Sequence, residues 1–469
     1  MARKAASYEI PFIDRVRMNH RFARWLARLS DPPNQELIEE PEIDGGVTWN
    51  YQRHGWLPWM EFFYDWRFAD ITGDGKIDMA LTCGAFRQIA YRQNGSEIWR
   101  YEDAGASCLD IRMDSNFPVF DIDGDGVTEL VCPRRVHGDL HLCIVDARTG
   151  ILRKSISYPD REKMPENPQG GHFRSSVFII NATGGKRPSD ILVGWDYRSV
   201  TLLDRDLNIL WNVQIDHHPD RKHRTMGHSP HFADIDGDGC DEIFAGSVLL
   251  DHDGSVMTVL PDLPALLRDG HADSVRISHI GGKPVLLMST GAYCFDIGGN
   301  PIWGRDEIKH GQALRIGKIR GDIPDQQFVI YEGASRVEPG KPDRVIALDS
   351  HGELLWKHEV RQPNMQEGGF GFWLGDWNGD GLDEVFVNDP ECVRILDGHG
   401  RIIDTIKGHL VYVFDLLGDA RAEAITLDGI GPGMSLDIVT NDRPNPHPST
   451  NTLIEKRKIT KEMCNSTRY

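Results

Sequence analysis

Short runs of alternating apolar and polar residues, each closed by a turn signal, fill most of this chain. Ser176-Val-Phe-Ile-Ile180, Glu242-Ile-Phe-Ala-Gly246 and Val275-Arg-Ile-Ser-His-Ile280 are typical. Period-two runs of this length bounded by Gly, Asn or Asp read as strands. A helical pattern occurs convincingly once, from Asp14 to Leu29, and predicts a surface appendage. The strands fall into a repeat. Four copies of an acidic loop mark it most clearly, and each loop joins one apolar run to the next.

The loops carry oxygen side chains at positions 1, 3, 5 and 9, with glycine at 4 and 6. The ligand positions are Asp70, Thr72, Asp74 and Asp78; Asp121, Asp123, Asp125 and Glu129; Asp234, Asp236, Asp238 and Glu242; and Asp376, Asn378, Asp380 and Glu384. Hard cations take six to eight oxygen ligands, and glycine lets a short loop wrap tightly enough to supply them. The pattern predicts up to four structural Ca2+ sites that staple a repeat. The loop is too short for an EF-hand, and its flanks have strand periodicity. No ligand set is left open for a substrate.

Weaker copies keep the strands and lose the ligands. Aligned on loop position 1, the repeats stand at residues 70, 121, 181, 234, 279, 318, 376 and 415, spaced 39 to 60 residues apart. A fainter element, a turn followed by apolar residues and often tryptophan, recurs between them, as at Trp211, Trp303 and Trp356. Strand-only repeats of this period predict an all-β fold, a single β-propeller of four-stranded blades. Eight copies favour eight blades, with seven the alternative if one copy lies outside the ring. The reading places an N-terminal helical or irregular extension at 1–45, the propeller at 46–440 and a polar C-terminal tail at 441–469.

In a propeller, equivalent positions of successive blades ring the central channel. Three residues before each loop the sequence reads Arg67, Pro118, Phe178, His231, Arg276, Arg315, Trp373 and Tyr412. Six before, it reads Tyr64, Ser115, Ser175, His228, Asp273, Gln312, Phe370 and His409. Further histidines and arginines crowd the same region: His172, Arg174, His271 and His310. Singly, each is more often a structural hydrogen-bonding or solvated group; their common register points to a site. His, Tyr and Arg together suit proton abstraction beside a carboxylate, with arginine neutralising the carboxylate. A glycosidase carboxylate pair stays open, because Asp and Glu are abundant.

Composition narrows the classes. A net charge of -19 argues against nucleic-acid partners. No stretch is long and apolar enough to span a membrane. The first nineteen residues lack an apolar signal core, so the chain reads as cytoplasmic as written, or as secreted or periplasmic if a leader was removed. Eight scattered cysteines without a CxxC read as buried free thiols.

The stretches Gly227-His-Ser-Pro-His231-Phe-Ala-Asp-Ile-Asp-Gly-Asp-Gly, Leu250-Asp-His252-Asp-Gly, His271-Ala-Asp-Ser-Val and His310-Gly-Gln-Ala-Leu-Arg315 resemble the FG-GAP-type propeller polysaccharide lyases: rhamnogalacturonan, ulvan and rhamnose–glucuronate lyases. The resemblance implies structural calcium and cleavage next to a uronic acid by β-elimination. It implies catalytic roles for His231, His252, Tyr293 and Arg315, with Arg305 or Arg276 as alternatives for the arginine. His231 would be the base and Tyr293 the acid, or the roles exchanged. His172, Arg174, His228, His271, Arg276, His310 and Gln312 would bind a uronic-acid-containing glycan. The competing readings are a non-catalytic carbohydrate- or protein-binding propeller and a quinone-dependent dehydrogenase.

Overall fold

The computed structural model describes residues 2–9, 42–43, 46–47, 65–83, 87–92, 96–103, 117–159, 175–195, 199–215, 230–261, 272–338, 340–360, 372–389, 392–416, 421–428, 435–441 and 443. They form eight four-stranded antiparallel sheets, plus a small hairpin at 42–47 and one helical turn, Ala334–Val337. Each sheet is one blade. The first strands are Asp65–Ala69, Val119–Phe120, Ser175–Ile180, His231–Ala233, Val275–Ile280, Gly311–Gly317, Phe372–Gly375 and His409–Phe414, for blades 1 to 8. First strands of neighbouring blades touch across most blade boundaries, which puts them around the channel.

Blade 8 closes the ring. Its first three strands come from the end of the chain, and the outermost is Ala2–Glu9, paired antiparallel with Ser435–Asn441. Residues 2–9, which the sequence reading assigned to an extension, are therefore a blade strand. The reason they were missed is physical. An outermost strand is largely solvated, so Arg-Lys-Ala-Ala-Ser-Tyr-Glu carries no apolar run to mark it. The expected helix at 14–29 and the tail beyond 443 lie outside the described residues.

The recurring tryptophan has a packing role. Trp99, Trp211, Trp303 and Trp356 sit in the outer strands of blades 1, 3, 5 and 6. Their indoles lie against glycines in the outer turn of the next blade: Gly150, Gly254, Gly352 and Gly400. A Cβ at Gly150 would stand 2.7 Å from the Trp99 ring, and all four glycines have positive φ. Each indole N–H donates to a carbonyl of that same turn, at Ala147, His252, Ser350 and Gly398. The turn-then-tryptophan element thus stitches blades together. The core runs as layers between blades, such as Phe178, Leu192 and Val200 against Ile243, Val248 and Leu250. Cys132, Cys143, Cys240 and Cys294 are buried free thiols, as expected.

Candidate functional site

An antiparallel meander fixes which end of the propeller each residue reaches. First and third strands run the same way, so the acidic loop after the first and the turn after the third share one end. Residues that begin these strands face the other end, the mouth.

The residues three before each loop form a connected arc inside the ring. Arg67 Nη1 donates to the Tyr412 hydroxyl at 2.6 Å. The Tyr412 ring packs on Trp373 with centroids 4.5 Å apart. The Arg315 guanidinium lies over Trp373, 4.1 Å from its centroid, a geometry that suits the flat cation and the ring's negative face. Arg315 in turn acts electrostatically on Arg276, and Arg276 on His231. The arc so passes from blade 1 through blades 8, 7, 6 and 5 to blade 4. Arg67 and Tyr412 are buried, whereas Arg315, Arg276 and His231 are half-buried.

Burial makes these cations reluctant. It pushes Arg276 down to about 9, with the Arg315 charge adding to the effect. Burial pushes Arg315 down to about 10, opposed by Tyr412. His231 is pushed down to about 3, by burial first and then by Arg276, so its imidazole is neutral near neutral pH. Its Nδ1 accepts the backbone N–H of Ile277 at 3.1 Å, which leaves the proton on Nε2. One nitrogen is an occupied acceptor and the other a donor. As placed, His231 offers an Nε2–H donor.

The other two expected catalytic residues lie off this arc. Tyr293 opens the third strand of blade 5, about 10 Å outward from the channel-lining strand at normal strand spacing. It is packed among Phe244, Leu260, Val275 and Phe295, and its hydroxyl donates to Asp306. It opens that strand at the mouth end and packs between blades. His252 lies in the turn after the third strand of blade 4, at the acidic end, where its Nε2 is 3.7 Å from Asp238 Oδ2. His231 begins the first strand of that blade and His252 follows the end of the third, so the two face opposite ends. Arg305, the other arginine candidate, pairs with Glu307 at 2.8 Å.

Gln312 and His310 form a buried network at the start of the first strand of blade 6. Gln312 Nε2 donates to Asp273 at 2.8 Å and His310 Nε2 lies 3.1 Å from Gln312 Oε1. It ties blade 5 to blade 6. His172, Arg174, His228 and His271 lie outside the described residues. The sequence site list passed over Arg67, Trp373 and Tyr412, although the repeat register contains all three.

The acidic loops crowd the opposite end. The carboxylate at position 1 accepts loop amides, as Asp234 does from Gly237 and Gly239. The residue at position 9 is buried, and burial raises Glu129 and Glu242 to about 7 and Glu384 to about 8. Groups able to hold a cation are Asp70, Asp74 and Asp78; Asp121, Asp123 and Glu129; and Asp234, Asp236 and Glu242. In blade 4 the fit is good, because Glu242 Oε1 is buried with no hydrogen-bond partner. In blade 7, Asn378 donates to Glu384 at 2.6 Å. In blade 2, Arg153 already bonds Glu129 at 2.6 Å.

Comparison with known proteins agrees with this fold. No protein-family model matches the chain. It is 26% identical to rhamnogalacturonan exolyase YesX of Bacillus subtilis over 478 aligned residues, covering 83% of this chain and 73% of that protein. It is 25% identical to rhamnogalacturonan endolyase YesW of the same organism, covering 81% and 67%. The solved structure of YesW superposes with a TM-score of 0.59 at 19% identity, over 88% of this chain and 76% of that one. The biofilm matrix protein Bap1 of Vibrio cholerae shares the fold as well, with a TM-score of 0.55 at 15% identity over 82% and 88% of the two chains. The chain is a β-propeller similar in sequence and fold to rhamnogalacturonan lyases.

Proposed function

We propose that this propeller is a polysaccharide lyase that cleaves a pectin-type, uronate-containing glycan of the rhamnogalacturonan class by β-elimination. The similarity to YesX and YesW supports the class. The observation that carries the reading is the half-buried pair Arg276 and Arg315 beside the Nε2–H donor of His231. Desolvated guanidiniums with lowered proton affinity gain most from an incoming anion, and their planar fork matches a carboxylate. Neutralising the uronate carboxylate makes its α proton acidic enough to leave, because the electrons pass into that group in the transition state. The C4–C5 double bond forms as the C5 proton is taken and the C4–oxygen bond breaks. His231 donates a hydrogen bond to the carboxylate. The proton acceptor is sought among His228, which the repeat register sets before the first strand of blade 4, and His172 and His271, which precede the first strands of blades 3 and 5 in sequence. Calcium is proposed for the acidic loops at the far end, as a staple and not as a reactant.

The test is direct. Elimination leaves an unsaturated uronate that absorbs in the near ultraviolet, so rhamnogalacturonan backbone should give rising absorbance with this protein. A second reading, a propeller that binds glycan without cleaving it, is favoured by the engagement of the Tyr293 hydroxyl with Asp306. Tight binding with no absorbance change would select it.

A further inference from the structure

We infer that the acidic loop of blade 2 is held by built-in guanidinium groups in place of a divalent cation, so that the four look-alike loops are not four equivalent metal sites. Three observations converge on Arg153. Its Nη1 stands 2.6 Å from Glu129 Oε1 and 3.7 and 3.8 Å from the carboxylates of Asp125 and Asp123. Its Nη2 bonds Asp146 at 2.7 Å. The fourth ligand-position carboxylate, Asp121, takes Arg187 Nη1 at 3.3 Å, and that guanidinium lies over Gly124 of the same loop. Two arginines bring the same +2 that one calcium would. Calcium needs its oxygens at 2.3–2.6 Å from the ion, and an ion there would share Glu129 with a cation already bonded to it.

The position of Arg153 in the blade explains why only this loop is affected. Every outer strand of blades 1 to 7 makes one bulge against the third strand, and the residue skipped by the pairing is Ile98, Arg153, Leu210, Met257, Ile302, Leu355 or Ile403 in turn. Six are apolar and one is arginine. In blades 2 and 7 the bulge residue borders its own blade's loop. In blade 7, Ile403 lines a cleft of about 310 Å³ with Asn378, Asp380 and Glu384. In blade 4 the same place holds Met257, no arginine reaches the loop among the described residues, and Glu242 Oε1 is without a partner. Blade 6 shows the same device with a different residue. There lysine replaces the first loop aspartate, and Lys318 Nζ bonds the carbonyls of Ile323, Pro324 and Asp325. A side-chain cation at the centre of a repeat loop is thus used twice in this molecule. The inference is independent of the lyase reading, since it concerns the end of the propeller away from the proposed site.

Calcium stoichiometry tests it. The intact protein is freed of divalent ions, equilibrated with calcium, and its bound calcium counted by dialysis and metal analysis. Arg153→Met, which installs the blade 4 residue, should bind one calcium more than the unmodified protein. Asp123→Asn in the unmodified protein should leave its calcium number unchanged, and the same change in the Arg153→Met background should remove the extra ion. Loss of one calcium on Asp123→Asn alone would overturn the inference, as would no gain on Arg153→Met. If Arg153→Met fails to fold, the Asp123→Asn count decides alone.

Discussion

The two ends of this propeller are built from the same repeat and have opposite character. Each first strand leads from the mouth, through the ring position three residues before the loop, into the loop itself. The ring positions hold Arg67, His231, Arg276 and Arg315 among aromatic residues, without a single carboxylate. The loops a few residues on hold the acids, buried at position 9. The difference teaches that one register can carry two jobs. At the acidic end the carboxylates take loop amides and, in blade 2, guanidiniums, and the tryptophan stitches lie beside them. That end holds the blades together. At the ring, burial depresses the proton affinity of both Arg276 and Arg315, and the Arg315 charge depresses that of Arg276 further. That arrangement suits an anion from outside.

The comparison can be broken first by stability. Trp356 is buried, packs on Gly400 and donates to the Gly398 carbonyl. Trp356→Ala should cost about 3–5 kcal/mol, read as a lower denaturation midpoint, with turnover per folded molecule unchanged at low temperature. A loss of turnover in fully folded protein would mean that the acidic end takes part in the chemistry.

Chelation is the next largest effect. A cation held only by the folded state stabilises by about 2.7 kcal/mol at a hundredfold excess over its dissociation constant. Removing calcium should therefore lower the melting temperature and spare activity at low temperature. Equal activity loss in chelated, still folded protein would point to a catalytic metal.

At the ring the expected signs reverse. Arg315→Lys keeps the charge but loses the fork and the planar stacking over Trp373. It should lower kcat/KM by roughly 10- to 150-fold, the worth of about 1.5–3 kcal/mol for a charge-assisted hydrogen bond, with little change in melting temperature. Tyr293→Phe sharpens the contrast from the other side. Its hydroxyl serves exposed Asp306, so the change should cost about 1 kcal/mol of stability and leave turnover intact. A collapse of turnover would restore Tyr293 as a catalytic acid.

Much of the architecture was legible from the chain because it repeats. Alternation gave the strands, the Asp-x-Asp-Gly-Asp-Gly loops gave the register, and counting copies gave eight blades. The ring of positions three before each loop was legible as well, since strand periodicity fixes which residues share a face. What sequence spacing could not convey was direction and depth. His252 follows His231 by a distance that resembles a catalytic pair, yet the chain reverses twice between them and the second ends at the acidic loop. Tyr293 follows from the family resemblance and not from the ring register, because it begins a third strand and not a first. The tautomer of His231 depends on the Ile277 amide of the next blade, a contact with no local signature. Residues 2–9 were hidden because an outer strand needs little apolar character.

The central claim is that Arg276 and Arg315 exist to hold a uronate carboxylate. The most direct measurement compares rhamnogalacturonan backbone with the same polymer after reduction of its carboxyl groups, for the unmodified protein and for the Arg276→Ala, Arg315→Ala double variant. The account predicts that the unmodified protein binds native polymer far more tightly than the reduced polymer and raises near-ultraviolet absorbance only with the native one. It predicts that the double variant, folded by its melting temperature, loses both the preference and the absorbance. Equal binding of native and reduced polymer by the unmodified protein, or an undiminished preference in the double variant, would contradict it.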